Sequence, residues 1–375
     1  MAAAQAARVT GNCPTQVGQD REHDRGEAIG TTPDRFMPSR RLVAVLVACA
    51  AIAITSPAEA QRGGIDPPVR IAVDARPIAA FSTGASDQRR FGKLEYLGGL
   101  ELKSSYSEFG GFSAIRVASD GEHFVSLTDK GRWLTARIVY DRDRPIGIAD
   151  ATMAPMLGPD GRTLAARGWY DTESLAERDG WLYVGIERVN RIVRFDFARQ
   201  GLLARAEVVP APPGISHLPN NKGLEALAFA PRNHRLAGTL MAFSERGLDA
   251  NGNLKAFLVG GATPGEFSVT RRDNFDISDS ATLPSGDVLL LERRFTWWTG
   301  IAMRLRRIAI ADIAPGALVD GTDLLFADMG YQIDNMEGLS VHADSSGDTV
   351  LTLISDDNFS ILQRTVLLQF KLLDE

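Results

Sequence analysis

The chain alternates short apolar runs with polar turns, and its clearest unit spans residues 221–247, NKGLEALAFAPRNHRLAGTLMAFSERG. Glu225 stands inside the apolar run Leu224–Phe229. A turn rich in Pro, Asn and Arg follows, then a second run, Leu240–Phe243, which closes on Ser244, Glu245 and Arg246. Two such runs across a turn cluster predict a β-hairpin. The unit recurs at Phe112–Gly131, Thr172–Val189, Ser278–Phe295 and Met336–Asn358. Alignment gives one column at the head of the first strand, Ser113, Glu173, Glu225, Asp279 and Glu337, at spacings of 60, 52, 54 and 58 residues. A second column closes the second strand with Asp129, Glu187, Glu245, Glu292 and Asp356. Lys130, Arg188, Arg246, Arg293 and Asp357 come next in each copy. A period of this size marks a repeat array.

The turns carry suitable residues: Asp120-Gly121, Asp179-Gly180, Ser285-Gly286 and Ser346-Gly347 tolerate the positive φ of a tight hairpin. Further strand-like runs follow each hairpin, at Trp133–Tyr140, Arg191–Phe197, Ala256–Val259, Met303–Ile308 and Thr365–Leu372. One short helix is expected around Ile310–Ile313. No helical period persists long enough for β/α alternation, which argues against a parallel α/β fold. Five all-β units of this length predict an all-β fold, a β-propeller of five blades, or six if Gln61–Leu102 contributes more than a strand. The last copy runs out at Leu372, whereas Phe91–Leu102 has no hairpin partner. Pairing these N- and C-terminal strands would close the ring and remove exposed sheet edges. A stacked pair of β-sandwiches is the fallback.

Composition narrows the function. With 375 residues, 44% of them hydrophobic, the chain can bury a large core. Its net charge of −6 offers no basic footprint, so nucleic acid is excluded as the expected partner. Residues 1–36 show no apolar period and read as a disordered or over-extended start. Residues 37–60 read as a secretory signal: Arg40 and Arg41, the apolar run Leu42–Ile54, then Ala58-Glu59-Ala60, with cleavage before Gln61. A periplasmic or secreted location follows, with lipidation at Cys49 as an alternative. Residues 61–90 read as a surface leader and 91–375 as the propeller domain. Both cysteines, Cys13 and Cys49, precede the cut, so the mature chain has no thiol chemistry and no transmembrane segment.

In a propeller the first strand of each blade lines the central channel, so both acidic columns are expected around one mouth. Crowded carboxylates need cations or raised pKa values. Two readings stay open: structural ion pairs with the neighbouring Arg and Lys, or a hard divalent cation on all-oxygen ligands. The sequence carries no G-x-S-x-G elbow and no H-E-x-x-H. His217, just ahead of Asn220, is the one histidine expected near the mouth, whereas His123 and His234 fall in or beside turns. The run Arg293-Arg294-Phe295-Thr296-Trp297-Trp298 reads first as a packed outer loop, and alternatively as an aromatic rim for a substrate.

The stretches LEYLGGLELKS, FGGFSAIRVASDG, DTESLA, NNKGLEALA, DNFDISDSATLPSGDVLLLERRF and YQIDNMEGLSV with LISDDNFS resemble the bacterial family described as esterase-like activity of phytase. The similarity runs from about Phe91 to Leu372. It implies an exported β-propeller that hydrolyses phosphate or carboxylic esters. The motifs carry Glu173, Asn221, Lys222, Glu225, Asp276, Asp279, Glu292, Arg293, Asp334, Asn335, Glu337, Asp356, Asp357 and Asn358. On that basis Ca²⁺ is expected on Glu173, Asp279, Asp334, Asp356 and Asp357. Glu225 or Glu337 would serve as general base. Lys222, Arg188, Arg246, Arg293 and Asn221 would hold a small anionic ester. Alternatives are a lactonase or carboxylesterase on the same fold, or a non-catalytic binding scaffold; the number of subunits is not legible.

Overall fold

The computed structural model describes residues 66–373, so the expected start, the export segment and Cys49 lie outside the described residues. Among the described residues five sheets, antiparallel apart from one short outer strand, follow one another along the chain. Their innermost strands are Phe112–Val117, Thr172–Arg178, Leu224–Phe229, Asp276–Thr282 and Asn335–Ala343, heading blades one to five. Each inner strand touches the next, and the fifth touches the first, so the sheets form a ring: a five-blade β-propeller.

The apolar pattern explains the ring. Among the described residues there are five buried apolar clusters, one between each pair of neighbouring blades. Leu289 and Leu291 of blade four meet Leu351 and Leu353 of blade five, for example. Leu100 and Leu102 on one side meet Phe112, Ile115 and Leu134 of blade one on the other. A strand buried on both faces shows a near-continuous apolar run, as Val288–Leu291 and Val350–Leu353 do.

Closure is made as expected: the strand Leu94–Lys103 pairs antiparallel with the last strand, Thr365–Leu372, inside blade five. The leader does more than lie on the surface. Asp74–Ile78 adds an outer strand to blade five, and Val69–Arg70 pairs with Met153 and Thr152 on the edge of blade one. The expected short helix is a 3₁₀ turn, Ile310–Asp312, in an excursion whose later residues Leu318–Val319 pair in parallel with blade three. At the four Gly-containing hairpin turns φ is positive, from +72° to +99°, a conformation that a Cβ would strain.

Candidate functional site: an acidic mouth above a plugged channel

Every inner strand carries a bulge at its head. The register slips between Phe112 and Ala114, between Thr172 and Ser174, between Leu224 and Ala226, between Ile277 and Asp279, and between Met336 and Gly338. The inserted residues are therefore Ser113, Glu173, Glu225, Ser278 and Glu337. Opposite the strand heads lie Asp129, Glu187, Glu245, Arg293 and Asp356. Blade four is thus one residue out of step with the alignment read from sequence: Ser278 replaces Asp279 in the first column, and Arg293 replaces Glu292 in the second. A bulge sets two residues against one, so polar neighbours such as Ser278 and Asp279 exchange places without disturbing the pattern.

The corrected columns place seven carboxylates and one guanidinium at one mouth. Arg293 reaches Glu337 at 3.1 Å, Glu225 at 3.4 Å, Glu245 at 3.6 Å and the Asn335 side-chain oxygen at 2.9 Å. Asn335 in turn donates to Glu337 at 2.7 Å. Lys222, half-exposed, stands 3.5 Å from Glu245. Among the described residues Asp129, Glu173, Glu187 and Asp356 have no ion-pair partner. Glu187 accepts the Gly223 N–H at 2.7 Å, and one buried oxygen of Asp129 has no partner at all.

Desolvation therefore governs the protonation of these acids. Burial, reinforced by Glu337 and Asp129, pushes the Asp356 carboxyl up to about 8. It raises Glu187 to about 7, against the Gly223 hydrogen bond, and Asp129 to about 6 against Lys130. Burial and neighbouring carboxylates lift Glu173 and Glu225 well above the usual range. Glu337 is raised by burial and held back by Arg293. The same acids push the Arg293 pKa upward, so its charge is secure.

The folded protein consequently holds protons that the unfolded chain has released between about pH 4 and pH 8. Stability gained from these acids is present at low pH and lost as pH rises through the folded values. With chelator present, the melting temperature is expected to drop by several degrees, roughly 5 °C, from pH 5 to pH 8. Calorimetry across that range checks it, and a flat profile would contradict the geometry.

The remaining expected residues are spread around this mouth. Asp334 accepts the backbone N–H of Arg364 at 3.1 Å, with that side chain 3.6 Å away. Asp357 accepts from Gly111 and from the Thr365 hydroxyl, each at 3.1 Å. Arg246 is clamped to Asp276, which Arg271 also holds at 2.8 Å. Arg188 is exposed over the Tyr170 ring, Asn221 is exposed with φ +61°, and His217 ends a short surface helix. Glu292, fully buried on the opposite side of its strand, pairs with Arg304 at 2.6 Å and with Arg306.

Asp279 belongs to a different device. The residues after each bulge are Ala114, Ser174, Ala226, Asp279 and Gly338; two further on come Arg116, Ala176, Ala228, Ala281 and Ser340. Each layer has four small residues and one ion. A Cβ on Gly338 would lie 3.0 Å from the backbone of Ala114 and Ile115, which shows how tightly the axis is packed. Arg116 fills the space left by the small residues. It binds both oxygens of Asp279 at 2.9 and 3.1 Å and donates to the carbonyls of Ile115, Leu227, Ser280 and Leu339. This plug divides the acidic mouth from a cavity of about 730 Å³ at the other end, walled by Val117, Ala176, Phe229, Ala281 and Val341. Arg116, which also lines that cavity, is saturated by Asp279 and by the carbonyls. The acids that burial raises toward neutrality are at the acidic mouth.

A family model described as "Phytase-like: Esterase-like activity of phytase" matches residues 107–359, all five inner strands included. The chain belongs to the Phytase-like family. For this Phytase-like chain no curated protein gives a match. Among solved structures, an α-L-arabinofuranosidase from Podospora anserina in complex with cellotriose is similar at 11% identity. That match covers 75% of this chain and 97% of the other, with a TM-score of 0.45. The glutaminyl cyclase of Myxococcus xanthus is 10% identical over 82% and 100% of the two chains, TM-score 0.37. The PQQ-bound aldose sugar dehydrogenase of Streptomyces coelicolor is 13% identical over 82% and 99%, TM-score 0.36. Likeness this distant carries no reading of chemistry. Phytase-like membership together with the propeller fold supports a hydrolase-like enzyme in general. Among the described residues no helix is long and apolar enough to cross a membrane.

Proposed function

We propose that this Phytase-like protein is an exported ester hydrolase whose reaction takes place at the acidic mouth. The observation that carries the reading is one guanidinium, Arg293, shared by Glu225 and Glu337 beside Glu187 and Asp356, whose carboxyls burial raises to about 7 and about 8. Acid–base catalysis is most effective when a group's pKa lies near the working pH. Such a ring holds neutral and ionised carboxyls side by side. An anionic ester resting against Arg293 would have Glu225 and Glu337 on either flank. One carboxylate takes a proton from water as its oxygen attacks the ester phosphorus or carbonyl carbon. A protonated neighbour gives its proton to the departing alkoxide. Lys222 and Arg188 stand where they could draw the anion in.

A divalent cation is part of the proposal. Asp129, Glu173, Glu187 and Asp356 supply oxygen donors only, which suits Ca²⁺ or Mg²⁺. The unpartnered oxygen of Asp129 marks the side where it would bind. Among the described residues no three acidic side chains already close on a single ion, so a cation would draw them inward. When bound it would supply charge neutralisation and polarise the ester. The scaffold reading draws support from the same fact, since Arg293 alone links three blades as a structural tie.

A substrate panel separates these readings: a phosphomonoester, phytate, a short acyl ester and a lactone, each with Ca²⁺ and with chelator. Turnover of one class, with Ca²⁺ raising the melting temperature, is the expected result. At a cation concentration of 100 Kd the added stability is about 2.7 kcal/mol. Inactivity on every substrate with an unmoved melting curve leaves the scaffold.

A further inference from the structure

We infer that the face around the acidic mouth seats itself on a zwitterionic lipid surface through two loop tips. The first tip joins the second and third strands of blade four, Val288–Thr296 and Gly300–Ile308. Because Arg293 lies opposite the head of the inner strand, the hairpin projects beyond the mouth. Trp297 and Trp298 stand on it 90% and 96% exposed, with Phe295 packed edge-on against Trp297. The expected packed outer loop is therefore not formed. The second tip follows Asp356 of blade five, where Ile361 and Leu362 protrude as fully.

Both tips rise from the same end of the ring, on adjacent blades, each with two consecutive large apolar side chains bare to solvent. They are convex and separate, a form that a soft medium accommodates and a rigid pocketed partner does not. Indole prefers the headgroup level of a bilayer, and aliphatic Ile and Leu the acyl boundary beneath it. A sugar would stack on the tryptophans but gain little from Ile361 and Leu362. The chain also enters the ring at this end: Val69 pairs with Met153, two residues before Pro155, whose partner is Arg132 beside the Asp129 turn.

Charge selects the kind of surface. Lys130, Arg188, Lys222, Arg246 and Arg294 stand around this mouth; Arg246 is bound to Asp276 and Lys222 faces Glu245, whereas Lys130, Arg188 and Arg294 lie over aromatic rings. The net charge of −6 then disfavours an anionic membrane. This assignment does not depend on the proposed hydrolysis. If that hydrolysis holds, the substrate class narrows to amphiphilic esters presented at a lipid–water boundary.

The test is flotation of the full chain with phosphatidylcholine vesicles, read together with tryptophan emission. Wild-type protein is expected to float with the vesicles and shift its emission to the blue, less so as phosphatidylglycerol is added. Trp297→Ala/Trp298→Ala and Ile361→Ser/Leu362→Ser should each cut partitioning by tenfold or more while melting like wild type. Equal partitioning of these variants would assign binding to the run Leu42–Ile54 and overturn the inference. So would a blue shift with cellotriose and none with vesicles. Hydrolysis of a water-soluble ester should be unchanged in the Trp pair variant; its loss would make the two tryptophans part of the substrate site and overturn the inference.

Discussion

Arg293→Ala is expected to lower the melting temperature at pH 8 by on the order of 10 °C, and by far less at pH 5. Removing one partner from a buried ion pair costs about 3–5 kcal/mol, because the charges left behind are unpaired. Each kcal/mol moves the midpoint of a domain this size by roughly 2–4 °C. Arg293 contacts Glu225, Glu245 and Glu337 on three separate strands, so its loss leaves the acids of blades three and five to repel one another. At pH 5 more of the raised carboxyls hold their protons than at pH 8, and the guanidinium has less charge to balance. Arg293→Lys should recover only part of the loss, since an ammonium cannot fork between carboxylates as a guanidinium does. Equal destabilisation at both pH values would show that Arg293 acts through packing alone.

Replacing Glu225 with Gln should have the opposite signature. Turnover is expected to fall by about 10²–10⁴-fold, the usual contribution of a general base or acid. The fold should hold or gain stability, because the amide keeps the shape and removes one of several repelling charges. Glu337→Gln should do the same. Glu292→Gln is the contrast: it breaks the buried pairs with Arg304 and Arg306, so it should melt early while its folded fraction keeps its turnover. Steady-state rates per folded molecule, with melting curves on the same samples, distinguish the three. Unchanged turnover in both Glu225→Gln and Glu337→Gln would remove the proposed chemistry from this mouth.

Several of these residues were legible before any coordinates. Glu173, Glu225 and Glu337 recur at the heads of apolar runs, and a recurring position in a repeat has a recurring place in space. Glu187, Glu245, Asp129 and Asp356 were legible from the same logic at the other strand's end. Blade four was read one residue out of step because Asp276, Ser278, Asp279 and Ser280 are all polar and all buried. An apolar pattern cannot reveal where an inserted residue falls in such a run. The Arg116 plug had no local signal whatever. Its meaning depends on Asp279, 163 residues away, and on carbonyls from three other blades.

What the chain determines locally is its alternation of strands and turns, their count, and the spare terminal strands that must pair. These follow from side-chain period and turn chemistry within a few residues of each position. Tertiary structure alone decided which acids share a cation, which one is diverted into the channel plug, and that two tryptophans stand bare beside the mouth. Those outcomes depend on backbone register at the bulges and on distances across the ring. Both are set by hydrogen bonding and packing between segments far apart in sequence.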